Sequence, residues 1–440
     1  MENRVREAPR RCAVDRLCGG CSNSSVPYDR QLAAKDRAME ELFAPLLSGA
    51  ELRPILGMDR PYHYRNKVAS PFAPGPKRAG KGEGKAARKT GKAGARGKAG
   101  KTVRGLDRDV LTGMYQVGTH KLVPTNECLI ENQDAKKVVL AIRQIMIRHG
   151  IQPYDEDKGT GFMRHVVVRV GHNSGEVLVT VVTNEREFPA SKQFCRELVK
   201  RCPYVTTVVQ NVNMRKTNVI LGSEERTLYG PGFILDTLCG LSFRISSQSF
   251  YQVNAVQTEV LYLTAVELAG LTGRQTVIDA YCGTGTIGLV AASRGAQRVV
   301  GVESVASAVE DARQNARHNG IQNARFVAAD AARLMLALAG QAPGQLDGAA
   351  LGDALDQAPL PEETVLLMDP PRAGSSPEFL QAACAFGPER IVYISCNPQT
   401  QVRDVEYLVS HGYCLKVVQP VDMFPHTDHV ETVALLERRR

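Results

Sequence analysis

The spacing of apolar positions changes character near residue 276, and that change divides the chain. Ahead of it, Leu32, Met39, Leu42 and Phe43 recur at helical intervals and predict an amphipathic helix over residues 31–47. Strand-like runs follow at 65–71 and 113–117, then a helical pattern at 134–149, then strand-like stretches at 165–170, 177–183 and 205–211. This is a strand-rich α+β pattern up to about residue 240. From Thr276 onward apolar runs alternate strictly with helical patterns, with candidate strands at 276–280, 298–302, 325–328, 365–368, 390–394, 415–418 and 432–436. Such alternation predicts an α/β domain built on a doubly wound parallel sheet. The expected division is therefore 1–240 and 241–440. Residues 339–361, rich in Gly, Ala, Pro and Asp, read as a loop insertion, and no internal repeat is present.

Composition narrows the class. The 440 residues are 43% hydrophobic and 23% charged, ordinary values for a globular protein with a sizeable core. No apolar run approaches the roughly 18 residues of a membrane span, and the charged start carries no apolar stretch of a secretory signal. A cytoplasmic, monomeric protein with no membrane partner is the expectation. There the eleven cysteines should be reduced, catalytic or metal-bound. The net charge of +9 is concentrated: residues 77–104 hold seven Lys and four Arg against one Glu, so the remainder sums to −1. That Gly-, Ala- and Lys-rich segment cannot bury a core and is expected to be a disordered basic insertion at the tip of a hairpin. It is either a solvated loop or a polycation drawn to RNA phosphates.

The first strand of the alternating region runs into Asp279-Ala280-Tyr281-Cys282-Gly283-Thr284-Gly285-Thr286-Ile287-Gly288. Its glycines suit a tight turn close to a ligand, and formally it is also a dinucleotide fingerprint, so a nicotinamide site and a plain structural turn both remain open. The following strand ends discriminate. Glu303, Asp330 and Asp369 fall just beyond the second, third and fourth strands, at the edge where open α/β sheets bind ligands. Acids at those places can accept from ribose hydroxyls and an adenine amine. An acidic rim also suits a positively charged sulfonium better than a pyrophosphate, which points to S-adenosylmethionine.

Beyond the fifth strand stands Cys396, in Tyr393-Ile394-Ser395-Cys396-Asn397-Pro398. A lone cysteine is more often structural than reactive, but this one overlooks the cofactor edge. Carbon 5 of uracil is a poor nucleophile until a thiolate adds at carbon 6. After methylation a base must remove the carbon 5 proton so that the thiolate can leave. Asp428-His429-Val430-Glu431, before the last strand, supplies both a carboxylate and an imidazole. In Asp369-Pro370-Pro371-Arg372, the arginine stands where methylases of exocyclic amines place a stacking aromatic, which argues against amine methylation.

From Ser246-Ser247-Gln248-Ser249-Phe250-Tyr251-Gln252-Val253-Asn254 to the C-terminus, the chain resembles the RNA uracil-5-methyltransferase family. The resemblance is carried by Gln252-Val253-Asn254, Asp279 to Gly283, Asp369 to Arg372, Ser395 to Pro398 and His429-Val430-Glu431. It implies a nucleophile at Cys396, a general base at Glu431, and cofactor contacts at Gln252, Tyr281, Glu303 and Asp369. Asp330 is added on strand position alone. Phe250 or Tyr251 is either a core aromatic or a candidate to stack on a base withdrawn from its helix, as RNA modification at a ring carbon requires.

Early in the chain stand Cys12, Cys18, Cys21 and, far on, Cys128. By chemistry alone four cysteines suit an iron–sulfur cluster, with a four-cysteine zinc site as a serious competitor. Their spacing is similar to that of the ribosomal-RNA members of the family, which hold a [4Fe-4S] cluster, and so implies 23S ribosomal RNA as the substrate. Residues 1–240 would then be the iron–sulfur and RNA-binding domain. The same reaction on transfer RNA and RNA cytosine-5 methylation are the alternatives. A nicotinamide oxidoreductase would leave Cys396 and Glu431 without a task, and a non-catalytic RNA-binding protein would tolerate their loss.

Overall fold

The computed structural model describes residues 10–77, 106–341 and 359–439. Apart from Lys77 the basic segment lies outside the described residues, as does most of the insertion at 339–361. The first helix, α1 (Tyr28–Phe43), buries Gln31, Lys35, Met39 and Phe43 along one stripe, and a single 3₁₀ turn closes it. A two-residue strand, β1 (Glu51–Leu52), follows.

Seven strands then form one sheet. They are β2 (Lys67–Lys77), β3 (Arg108–Tyr115), β4 (Leu122–Pro124), β5 (Met163–Val170), β6 (Val177–Thr183), β7 (Val205–Val212) and β8 (Glu224–Tyr229). Their order is β4-β3-β2-β5-β6-β7-β8. β2 and β3 pair antiparallel with Lys77 opposite Arg108, so the strands on either side of the basic segment form a hairpin. Only β6 and β7 run parallel, because α3 (Ser191–Arg201) crosses between them. With α2 (Gln133–His149) it covers the sheet and closes a core of Val166, Val168, Val179, Ile142 and Leu198. α2 starts on Asn132, whose side chain accepts from the amides of Asp134 and Ala135, and stops at Gly150 in a left-handed turn.

A hairpin of β9 (Phe233–Leu238) and β10 (Leu241–Ser246) leads into α4 (Ala255–Ala269). The alternating region follows: β11 (Thr276–Ala280), α5 (Thr286–Ser293), β12 (Arg298–Glu303), α6 (Ala306–His318), β13 (Ala324–Ala328) and α7 (Ala331–Leu338). It continues with β14 (Thr364–Met368), α8 (Pro377–Phe386), β15 (Arg390–Ser395), α9 (Pro398–Ser410), β16 (Tyr413–Val421) and β17 (Glu431–Arg438). The sheet order is β1-β16-β17-β15-β14-β11-β12-β13. Leu261, Leu289 and Val309 from α4, α5 and α6 pack on one face. Met39, Leu334, Phe379 and Val405 from α1, α7, α8 and α9 pack on the other. Strands covered on both faces are apolar at nearly every position, as Val365 to Met368 illustrate.

Two features depart from the pattern read in the sequence. β17 runs antiparallel between β15 and β16, because the nine residues after Val421 are too few for a crossover to a parallel strand. And α1 with β1 joins the C-terminal sheet, β1 pairing in parallel with β16. Among the described residues no helix is long and apolar enough to cross a membrane.

Candidate active site

β11 lies where the strand order reverses: the chain leaves it for β12 on one side and returns to β14 on the other. The carboxyl ends of strands splay apart there and open a crevice. A cavity of about 600 Å³ occupies it, within the range of small-molecule sites. Gln252, Tyr281, Glu303, Asp369, Cys396 and Glu431 all line it, six of the seven side chains read from the sequence as catalytic or cofactor-binding. Asp330 does not. It is exposed and caps α7, accepting from the amide of Arg333 at 3.1 Å.

The turn after β11 has the geometry its glycines suggested. Tyr281 itself takes a left-handed conformation (φ 64°), as do Gly283 and Gly285. A non-glycine residue held there is strained, and such strain clusters at working sites. Gly285 could carry no side chain, since a Cβ would stand 2.8 Å from the ring of Phe326. Asp279 pins the turn from below by accepting from the amide of Gly288 at 2.9 Å. Glu303 holds it from the side, accepting from the amides of Gly283 (3.2 Å) and Val305 (2.9 Å).

The acids here are crowded out of water. Burial pushes Asp369 up to about 7. Burial, with the charges of Asp369 and Glu303, pushes Asp279 to about 7 as well. Glu431 is raised to about 8, by burial first and Asp369 second. The Cys396 thiol is raised by burial and by Glu431 and Asp369, with Arg372 opposing them. These groups resist ionising together, so a cation entering the cavity would favour the charged form of each. Of the two candidate bases, Glu431 lines the cavity, whereas His429 is exposed and meets the ring of Phe424 edge-on.

Residues 237–439 match the family model described as tRNA (uracil-5-)-methyltransferase. An uncharacterized RNA methyltransferase of Halalkalibacterium halodurans is 39% identical over 433 residues, covering 98% of this chain and 83% of that protein. One from Listeria monocytogenes is 38% identical over 426 residues, covering 97% and 83%. The chain belongs to the RNA uracil-5-methyltransferase family. Among solved structures it is similar to the tRNA (uracil-54, C5)-methyltransferase of Pyrococcus abyssi in complex with S-adenosyl-L-homocysteine. The TM-score is 0.70 at 25% identity, over 96% of this chain and 86% of that one. It is an RNA uracil-5-methyltransferase with S-adenosylmethionine as methyl donor.

Two cavity residues of the methyltransferase were not anticipated. Lys67 reaches in from β2, its pKa lowered to about 8 by burial and by the nearby charge of Arg169. Asn66 places it: its amide donates to the carbonyl of Val253 at 2.8 Å and its side chain to that of Gln252 at 3.1 Å. Nothing in the local pattern of β2 marks that contact. Tyr262 lines the cavity from α4. Of the two candidate stacking rings, Phe250 is 71% exposed and Tyr251 is buried.

A second pocket is lined by Cys12, Cys18, Cys21 and Cys128, with Arg65 and His426 beside them. Burial raises the thiols of Cys18 and Cys128 and pushes Cys21 up to about 12, with Cys128, Cys18 and Cys12 adding to the shift. Among the described residues no three His, Cys, Asp or Glu side chains are gathered as one metal ion would require. Four thiols share the one pocket, and thiolates are donors that soft metals prefer.

Proposed function

We propose that this enzyme methylates carbon 5 of a uridine in 23S ribosomal RNA through a transient covalent bond to Cys396, with Glu431 as the general base. The observation that carries the reading is the placement of one thiol and one buried carboxyl in the same cavity, with Asp369 between them in charge influence. When bound, S-adenosylmethionine supplies an electrophilic methyl group on a positively charged sulfur. Cys396, as thiolate, adds to carbon 6 of the flipped uracil and leaves carbon 5 nucleophilic toward that methyl. Glu431, as carboxylate, then takes the proton from carbon 5. The electron pair of that bond re-forms the ring double bond, and the carbon 6–sulfur bond breaks to release Cys396.

Gln252, Tyr281, Glu303 and Asp369 are assigned to the cofactor, and Phe250, exposed on the cavity, to stacking on the flipped base. The reading gives Asp330 no direct role. Cys12, Cys18, Cys21 and Cys128 are the residues that would hold a [4Fe-4S] cluster, which would supply a structural staple between distant loops.

Ribosomal RNA rests on the resemblance of the cysteine spacing. Transfer RNA is the second reading, favoured by the similarity to the Pyrococcus abyssi enzyme. Mapping 5-methyluridine in ribosomal and transfer RNA from a deletion strain decides between them. Loss of the mark from 23S ribosomal RNA alone is the expected result. Its loss from transfer RNA alone would move the substrate.

A further inference from the structure

The nine residues between β16 and β17 lead into Glu431, and most of their bonds are to parts of the chain remote in sequence. Asp422 pairs with Lys35 at 2.7 Å, both buried, and accepts from the hydroxyl of Tyr28 at 2.7 Å. The carbonyl of Met423 accepts from the side chain of Asn254 at 2.9 Å, and that of Pro425 from the hydroxyl of Tyr64 at 3.0 Å. These contacts anchor the first half of the connection to α1 and to the bodies of the two domains.

The second half hangs on His426. It is 2% exposed and held in a left-handed conformation (φ 67°). A non-glycine residue persists there only when its surroundings over-determine it. They do. The amide of His426 donates to Oε1 of Gln31 at 2.9 Å, and its Nδ1 pairs with Nε2 of Gln31 at 3.0 Å. Its Nε2 reaches the carbonyl of Pro61 at 3.0 Å, and its ring stacks on Tyr62 with centroids 5.0 Å apart. Its own carbonyl accepts from the amides of Ser22 and Asn23, at 3.1 and 3.0 Å. Two residues further on, the amide of Asp428 donates to Oγ of Ser22 at 3.1 Å, and its carboxylate accepts from the side chain of Asn23.

Ser22 and Asn23 directly follow Cys21, and His426 itself lines the four-cysteine pocket. One residue therefore touches both the thiol pocket and the short connection that leads into Glu431, the first residue of β17. We infer that His426, fixed by Gln31, is a positioning residue for Glu431 and couples the placement of that carboxyl to the integrity of the four-cysteine pocket. This rests on the reading of Glu431 as the general base. Without Gln31 the left-handed turn at His426 loses two of its restraints. Without an intact thiol set, the Ser22–Asn23 segment that holds the same turn loses its anchor. Either loss should displace Glu431 relative to the carbon 5 proton, while the cofactor contacts at the ends of β11, β12 and β14, and Gln252 ahead of α4, stay in place.

The test uses the full chain purified without oxygen, with Gln31→Met, Cys21→Ser and the double variant. Gln31→Met should lower kcat by about tenfold, the scale of a small misplacement of a reacting group. KM for S-adenosylmethionine should stay within about twofold, as for a residue remote from cofactor binding. Covalent protein–RNA adduct should accumulate during turnover, and the amides of 426–431 should exchange faster, with metal content unchanged. Cys21→Ser should give the same faster exchange over 426–431. In the double variant the two effects on adduct resolution should fall short of additive, as expected for residues acting through one element. Unchanged exchange over 426–431 in both single variants would overturn the coupling, as would full additivity. Glu431→Gln, run alongside, separates the two failures. If it traps the adduct while Gln31→Met behaves as wild type, the coupling alone is wrong. If it turns over normally, the role of Glu431 falls first.

Discussion

The cavity at the carboxyl ends of β11, β12, β14 and β15 and the pocket of four N-terminal cysteines both hold ionisable groups crowded out of water. They differ in how the chain delivers those groups. In the first, Glu303, Asp369 and Cys396 stand at the carboxyl ends of parallel strands and Glu431 opens the antiparallel β17 beside them, so the regular spacing of strands in one sheet brings them together. In the second, the cysteines come from irregular chain at 12–21 and from Cys128 beyond β4, and only the tertiary path joins them. The volumes differ too: about 600 Å³ in the first against about 30 Å³ in the second. The first is shaped for a molecule that enters and leaves. The second is a narrow joint between distant loops. A site built on a repeating scaffold can change its ligand without moving the scaffold, whereas a site built on loops is part of what fixes those loops.

The sharpest way to break this comparison is to remove the reactive thiol. Cys396→Ala should lower turnover on the order of 10⁴-fold or more, the scale seen when a covalent nucleophile is lost. S-adenosylmethionine binding should change by less than about threefold, because the scaffold is untouched. Calorimetry and a methyl-transfer assay measure both. Substantial turnover by this variant would end the covalent account.

Cys128→Ser should do the reverse. Wild-type protein prepared without oxygen should be brown, with about four irons per chain. The variant should bleach and unfold at lower temperature, while the cofactor cavity keeps its affinity in the protein that remains folded. A colourless wild-type preparation containing one zinc would make the joint a zinc site instead.

Much of the first region was readable in the sequence because a parallel sheet converts strand order into position. Glu303, Asp369 and Cys396 follow β12, β14 and β15 and reach one cavity for that reason. Asp330 obeys the same arithmetic yet caps α7, since a side chain that starts a helix is drawn to the helix's free amides. The antiparallel insertion of β17 depends on the length of one connection and not on its apolar pattern. Lys67 and the Gln31–His426 pair were not legible at all. The bonds that set them, Asn66 beside Lys67 to Gln252 and Gln31 to His426, span 186 or more residues, which no local period records.

A smaller effect separates the two regions by pH. Glu431, Asp369 and Asp279 keep protons in the folded protein that they would release near 4.5, 3.8 and 3.8 when unfolded. The folded state therefore binds more protons between those values and about 7 to 8, and stability from these groups falls as pH rises through that window. A bound sulfonium favours their ionised forms. S-adenosylmethionine should then raise Tm by about 2 °C more at pH 8 than at pH 6. S-adenosylhomocysteine, with its uncharged sulfur, should show little of that difference. Equal shifts for both ligands at both pH values would mean that the acids do not sense the methyl-bearing sulfur.

The most direct test of the central claim is Glu431→Gln incubated with substrate RNA and S-adenosylmethionine, then run on a denaturing gel. The account predicts a stable protein–RNA band that carries the transferred methyl group, because addition and methylation proceed while removal of the carbon 5 proton does not. Normal turnover with no trapped band would contradict it and pass the proton to His429.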